Sequence, residues 1–217
     1  MLHLRTLKYG AVAFAAALMM AFAAPCVARD GDIVEEWDAA KPPPKPELKA
    51  VTLNGSTTAL LILDLTKRGG CGTRPRCAAS VPSVKRLQDA ARAAGAMLWY
   101  TMGDPADAID PAIQPHDGEY QGLQGPDKFL GSNLEDKLKA RGIKTVIVCG
   151  SSFQGVGIGT GSTAAQRGYD VVVPVDCLSS EDLYNEQYAA WHLYKGGPNA
   201  VTRKVTLTRS TMVKFAN

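Results

Sequence analysis

From residue 57 onward, short runs of apolar residues alternate with segments whose apolar positions recur every three or four residues. The runs are Ala59-Leu60-Leu61-Ile62-Leu63 and residues 96–101, 144–149, 169–175 and 203–208. The clearest of them are apolar at successive positions, as strands covered on both faces of a parallel sheet must be. Between them the spacing predicts helices over 82–94, 133–141, the later part of 151–168, and 181–195. Ser80 or Ser83 caps the first and Gly95 stops it, Gly142 stops the second, and the last carries Leu183, Tyr188, Trp191 and Tyr194 on one side. This alternation predicts a Rossmann-like, three-layer α/β/α fold with a central, mostly parallel sheet of about six strands. The polar stretch 102–131 is too long for a plain connection, and such loops are usually functional.

The chain before residue 57 reads differently. Arg5 and Lys8, an apolar stretch over 10–24 and small residues around Cys26, Val27 and Ala28 give residues 1–28 the layout of a signal peptide, cleaved after Ala28 or Ala23. The competing reading is a membrane anchor, against which stand its alanine richness and Pro25; Pro25 also argues against lipid attachment at Cys26. Residues 29–56 form an extended arm, with Lys41-Pro42-Pro43-Pro44-Lys45-Pro46 in polyproline II, and 57–217 form one folded domain. Removing residues 1–28 leaves 22 Lys and Arg against 21 Asp and Glu, with no basic run longer than two. A nucleic-acid partner, which needs a clustered basic face, is therefore not expected. The mature protein is expected in the periplasm or secreted, without a membrane partner.

Export makes disulfides permissible. Cys71 and Cys77 flank a loop containing the turn formers Gly72 and Pro75, so they either bridge or remain two free thiols. Cys149 and Cys177 end consecutive strands and should be spatial neighbours, with the bond left open.

In open parallel sheets ligands sit outside the carboxyl ends of the strands, where this chain places Asp64, Asp176 and the segment 150–156. A partly desolvated carboxylate at such an end suits a general acid or base; the plainer reading has Asp64 capping a turn or pairing with Lys67 or Arg68. Gly155, Gly157, Gly159 and Gly161 each cost about 1 kcal/mol in a helix relative to alanine. Such a cost points to close approach, either of backbone N–H groups to a ligand or of the helix to the sheet. Gly159-Thr160-Gly161-Ser162-Thr163-Ala164 comes ten residues too late after its strand for a dinucleotide fingerprint, so no cofactor is expected.

Thr58-Ala59-Leu60-Leu61-Ile62-Leu63-Asp64 resembles the opening strand of isochorismatase-like hydrolases, the cysteine hydrolase superfamily. Phe129-Leu130-Gly131-Ser132-Asn133-Leu134, with Leu138 and Arg141-Gly142-Ile143, is similar to that superfamily's F-x-G-T-x-L segment and following helix. Val146-Ile147-Val148-Cys149-Gly150, then Gly168-Tyr169 and Val172-Val173-Pro174-Val175-Asp176, resemble its nucleophile strand and the next strand in order and spacing. The resemblance covers about residues 57–213 and implies a small-molecule hydrolase, homo-oligomeric, with Asp64 as acid/base.

The departures matter as much. The position six residues past Gly150, where the resemblance places the nucleophilic cysteine, is Val156, and Cys149 lies seven residues away on the strand. The family's lysine position falls on Leu123; Lys128 either reaches the same pocket by another loop path or is an ordinary solvated charge. The metal set of the nicotinamidase branch is missing, since neither His116 nor His192 reads as a ligand, and no metal is expected. True isochorismatases also lack the cysteine, which makes them the closer precedent. The expected substrate pocket is Ser151, Ser152, Gln154, Gly155 and Val156. Two functions remain open: a cysteine-independent hydrolase using Asp64 and Lys128, or a catalytically inactive binding or scaffold protein on the same fold.

Overall fold

Six residues with essentially no solvent exposure, Thr58–Leu63, form the strand about which the fold is organised. The computed structural model describes residues 31–68, 71–122 and 125–216, so the expected signal segment 1–28 and Leu123 lie outside the described residues. The strands are β1 (Val51–Asn54), β2 (Thr58–Leu63), β3 (Met97–Thr101), β4 (Tyr120–Gly122), β5 (Thr145–Ser151), β6 (Asp170–Pro174), β7 (Leu178–Ser179), β8 (Val205–Thr208) and β9 (Val213–Ala216). The α-helices are α1 (Pro75–Ala93), α2 (Leu134–Ala140), α3 (Ile158–Gln166), α4 (Leu183–Trp191) and α5 (Asn199–Thr202).

Among the described residues the main sheet has seven strands in the order β4-β3-β2-β5-β6-β8, with β7 on the end of β5, and every pairing in it is parallel. One face packs Leu61, Val146, Val148 and Val171 against Leu134, Leu138, Ala164, Ala189 and Val201 from the helices α2 to α5. The other packs Leu60, Ile62, Leu98 and Ile147 against Val81, Val84, Leu87 and Ala91 of α1. This is the three-layer arrangement expected from the alternating pattern, each fully buried aliphatic side chain contributing about 1.5–3 kcal/mol.

Several boundaries differ from the sequence reading. Helix α1 begins at Pro75, not near Pro82, which lies inside it. Pro75 takes the first-turn position where a proline costs least, and burial of Cys77, Ser80 and Val81 carries the helix through Pro82. Gly95 and Gly142, with φ of 68° and 63°, end α1 and α2 as expected. The long polar loop contains β4, which adds to the edge of β3, and Tyr120 of β4 stacks on Trp99.

Arg92 fastens this loop to α1 by gripping both Glu119 oxygens at 2.7 and 2.8 Å, while Gln88 and Arg92 both donate to the Tyr100 hydroxyl at 2.9 Å. Burial pushes the Tyr100 phenol well up. At Glu119 burial also raises proton affinity, but the hydrogen bonds from Arg92 and the His116 N–H outweigh it and hold the carboxyl below its ordinary value.

Within the segment read as an extended arm, Val51–Asn54 forms a strand that pairs in parallel with β9, where only a short C-terminal turn had been expected. Residues 31–42 form a unit distinct from the rest of the chain, with one short 3-10 turn, Trp37–Ala39. Of the four residues placed on one side of the last long helical segment, Leu183, Tyr188 and Trp191 are exposed at 68, 42 and 38% and Tyr194 is half-buried against the core, while Ala189 and Leu193 face the core.

Both cysteine pairs are bonded, Cys71 to Cys77 with 4.6 Å between Cα atoms and Cys149 to Cys177 with 5.0 Å. Among the described residues, therefore, every cysteine is held in a disulfide. No helix among them is long and apolar enough to cross a membrane.

Candidate active site

Strand β2 stops at Leu63, and Asp64 takes a φ of 55°, a left-handed conformation that aspartate tolerates better than most side chains. The turn brings its carboxylate over the end of β3. The Asp64 N–H donates to the Thr101 carbonyl at 3.1 Å, and the Thr101 hydroxyl donates to Asp64 Oδ1 at 2.6 Å. Lys128 Nζ completes the set, 2.9 Å from Oδ1 and 2.8 Å from Oδ2. The lysine is 0% exposed, whereas the Asp64 side chain keeps 18% of its surface in solvent. Of the two readings of Lys128 that the sequence left open, a pocket lysine or a solvated charge, the structure has it buried and reaching Asp64. The backbone N–H groups of Lys67 and Arg68, the residues after this turn, donate to the Ala108 carbonyl and the Asp107 carboxylate.

Lys128 is held by residues that sequence reasoning did not single out. Its N–H donates to Thr160 Oγ1 on α3 at 3.2 Å, and Ser132 Oγ donates to its carbonyl at 2.6 Å. The neighbouring Asp127 accepts from the Phe129 N–H at 2.9 Å and from Thr163 Oγ1 at 2.8 Å. Helix α3 thus fixes the backbone from which the lysine projects. Close approach also accounts for Gly159, where a Cβ would stand 2.9 Å from the Pro126 carbonyl oxygen. Gly157 makes room for the Phe153 ring and Gly161 lies against Leu193 and Val171. Gly157 and Gly159 thus serve packing, one of the two readings the sequence allowed, while the space around Gly161 does not require a glycine.

The other half of the site is the turn after β5. Leu63 pairs in register with Gly150, where a Cβ would lie 2.2 Å from the Leu63 carbonyl oxygen, so only glycine lets the strands come together beside Asp64. A cis peptide joins Ser151 to Ser152, and a π-helical turn, Phe153–Gly157, leads into α3. The N–H groups of Gly155 and Gly157 both donate to the Ser152 carbonyl, at 3.1 and 3.3 Å, so these two donors are used within the turn. Gln154 accepts from Ser180 Oγ at 2.5 Å. The Ser151 hydroxyl is buried without a hydrogen-bond partner among the described residues. Val156 is 6% exposed and belongs to the apolar core with Phe129 and Phe153.

Asp176, the other strand-end carboxylate, accepts from Ser83 Oγ and from the N–H and Oγ of Ser210, and so anchors the turn Ser210–Met212 before β9. A hollow of about 280 Å³ lined by Arg92, His116, Glu119, Tyr120 and Arg141 includes none of the candidate residues. Among the described residues no group of three or more His, Cys, Asp or Glu is placed to hold a metal ion.

Comparison with known proteins gives a coherent picture. The profile of the isochorismatase domain matches residues 58–205. No curated protein matches the chain. An isochorismatase family protein from Burkholderia thailandensis superposes with a TM-score of 0.65 at 21% identity, over 76% of this chain and 97% of that one. One from Desulfovibrio vulgaris gives 0.63 at 22% identity, over 71% and 95%. N-carbamoylsarcosine amidase from Thermoplasma acidophilum gives 0.60 at 21% identity, over 71% and 96%. At these identities the likeness is one of fold.

Proposed function

Given that the chain belongs to the isochorismatase domain family, we propose that it is an exported hydrolase of a small molecule that works without a covalent enzyme intermediate, with Asp64 as its acid/base. The observation that carries this reading is the ion pair of Asp64 with the fully buried Lys128 at the carboxyl end of the sheet. Thr101 and Lys128 fix the direction of the carboxylate, and the exposed part of Asp64 can exchange a proton with substrate or water. The lysine ammonium supplies positive charge where negative charge would develop on a reacting oxygen. Val156 offers no nucleophile, and Cys149 is bonded to Cys177, so a thioester route has no thiol among the described residues. Structural neighbours include an amidase and a protein described as a cysteine hydrolase from Pseudomonas syringae, which makes amides and ureides, with vinyl ethers, the substrates to try.

A second reading, a binding protein without chemistry, is favoured by the buried Val156 at the nucleophile position. The two separate in one experiment. Purified protein is screened against amides, ureides and vinyl ethers, before and after thiol alkylation, beside folded Asp64→Asn and Asp64→Ala. The hydrolase reading expects activity that survives alkylation and falls by about 100-fold or more in both variants. Activity abolished by alkylation with protection by substrate would refute the assignment to Asp64, and ligand binding without turnover would establish the second reading.

A further inference from the structure

The hollow of about 280 Å³ beside Arg92 lies at the amino end of β3 and the start of the edge strand β4, whereas Asp64 follows β2 at the carboxyl end of the sheet. Its lining is of two kinds. Ala96 and Leu98, which also belong to the core under α1, make part of it apolar. Arg92, Arg141 and His116 make the rest polar, and Glu119 is the one carboxylate among the lining residues. That carboxylate is already engaged, by Arg92 at 2.7 and 2.8 Å and by the His116 N–H at 2.8 Å. Arg92 in turn also donates to the Tyr100 hydroxyl at 2.9 Å and to the Gln114 carbonyl at 2.8 Å. The Arg92–Glu119 pair is therefore a fixed and nearly neutral wall. Arg141 differs: its exposed side chain has no hydrogen bond or ion pair with any described residue. The Lys137 ammonium, 5.1 Å from the centroid of the Tyr120 ring, adds positive charge beside it.

We propose that this hollow is a binding site for a small monocarboxylate with an apolar body, its carboxylate held by Arg141 and its body laid on Ala96 and Leu98. One uncommitted guanidinium matches one carboxylate, which it can grip through two parallel bonds. A phosphate dianion would look for a second cation and find Arg92 already occupied. The apolar lining favours an acid with a ring or short alkyl body over acetate, and a volume at the small end of ligand pockets limits that body to about one ring. The adjoining hollow shares Arg92 and His116, but its other charges, Lys85 and Asp89, are paired with each other at 2.6 Å. It adds room and no free charge.

Such an occupant would touch two elements at once. Arg141 follows α2, while Glu119 and Tyr120 lead into β4. Strand β4 has three residues and lies at the edge of the sheet, which places it among the segments that open most readily. Its last residue, Gly122, accepts the Met102 N–H at 3.2 Å. A filled hollow ties β4 to the end of α2, so it should hold that bond closed.

Titration of isotope-labelled protein with sodium benzoate, followed by amide chemical shifts, tests the site. Saturable changes are expected at Gly118, Glu119 and Tyr120 with a Kd of about 1 mM or below. Arg141→Ala, at an exposed residue, should leave the melting of the protein unaltered and weaken binding by at least about tenfold; Arg141→Lys, which keeps the charge and loses the fork, should weaken it by about threefold or more. Arg203→Ala, which removes an exposed arginine before β8 at the other edge of the sheet, should change nothing. Benzyl alcohol, acetate and inorganic phosphate should each bind at least about tenfold more weakly than benzoate. At about 10 mM benzoate, hydrogen exchange of the Met102 amide should slow by about tenfold, the factor expected when opening empties the site. No saturable shift by about 10 mM, a Kd unmoved by Arg141→Ala or moved as much by Arg203→Ala, or phosphate or benzyl alcohol binding as tightly as benzoate would each overturn the proposal. So would shifts centred on Asp64 and Lys128 instead of residues 118–120, or Met102 exchange unaffected at saturation.

Discussion

Removing either partner of the Asp64–Lys128 pair should cost very different amounts of stability, because the two groups are buried to different degrees. Lys128 is 0% exposed and the Asp64 side chain 18%. In Asp64→Asn the opposite charge is taken from an ammonium that water cannot reach, a loss of about 3–5 kcal/mol for breaking a buried pair. In Lys128→Met the carboxylate left behind keeps its solvent contact and the bond from the Thr101 hydroxyl, while the apolar stem is replaced by one of similar size. The cost should be about 1–3 kcal/mol. The double variant should then lie at least about 1 kcal/mol short of the sum, since once one charge is gone the other gains nothing from its partner. Urea unfolding followed by the fluorescence of the buried Trp99, beside the exposed tryptophans as internal reference, gives all four free energies. If Lys128→Met proved the costlier change, or if the two losses were additive, the pair would not be the coupled, asymmetrically buried unit described here.

Two further outcomes follow from other parts of the fold. Gly159→Ala should destabilise by about 1 kcal/mol despite the helical gain of alanine, because its Cβ would meet the Pro126 carbonyl oxygen at 2.9 Å, whereas Gly161→Ala, which meets only side-chain carbons at 3.6–4.0 Å, should stabilise by up to about 1 kcal/mol; thermal melts of the two variants should move in opposite directions. Glu119→Gln should cost about 1–2 kcal/mol at neutral pH through loss of the charged bond to Arg92. The Glu119 carboxyl is held below its ordinary value of 4.5, so that contribution is complete above the unfolded value and is lost as pH falls through the folded one. The gap between wild type and variant, followed by urea unfolding, should close below about pH 4.5 and stay constant from pH 6 to 8.

The layers of this fold were legible because a strand covered on both faces has no freedom of composition. Residues 59–63, 97–100 and 146–149 are apolar throughout. Boundaries were less legible where two prolines competed, since Pro82 reads as a helix start only until burial of Cys77 and Val81 is known. Strands β1 and β9 were hidden because they pair with each other across nearly the whole sequence, and four-residue segments carry little periodicity. Asp64 was visible as the first charge after an apolar strand. Thr101 was visible only as one more strand residue, and Asp127, Thr160 and Thr163 had no local signal, because their role is to hold a loop onto α3. The side of α4 that carries Leu183, Tyr188 and Trp191 was legible as one face of a helix, but spacing alone does not say whether such a face turns to the core or to solvent.

A buried ion pair is a poor device for stability, since a well-packed apolar pair of similar volume often serves as well or better. The rest of this end of the sheet follows the stabilising course. Val156 joins the core, Cys149 is bonded to Cys177, and the glycines of the turn admit close packing with Phe153 and the segment around Pro126. Against that background Asp64 is held in a left-handed conformation, and Lys128 carries its ammonium into the interior on a backbone secured by Thr160 and Ser132. A scaffold with no chemistry to perform would gain from replacing both charges with apolar side chains. The pair is therefore the feature a purely structural reading explains least, and a proton-transferring Asp64 explains it with the fewest additional assumptions.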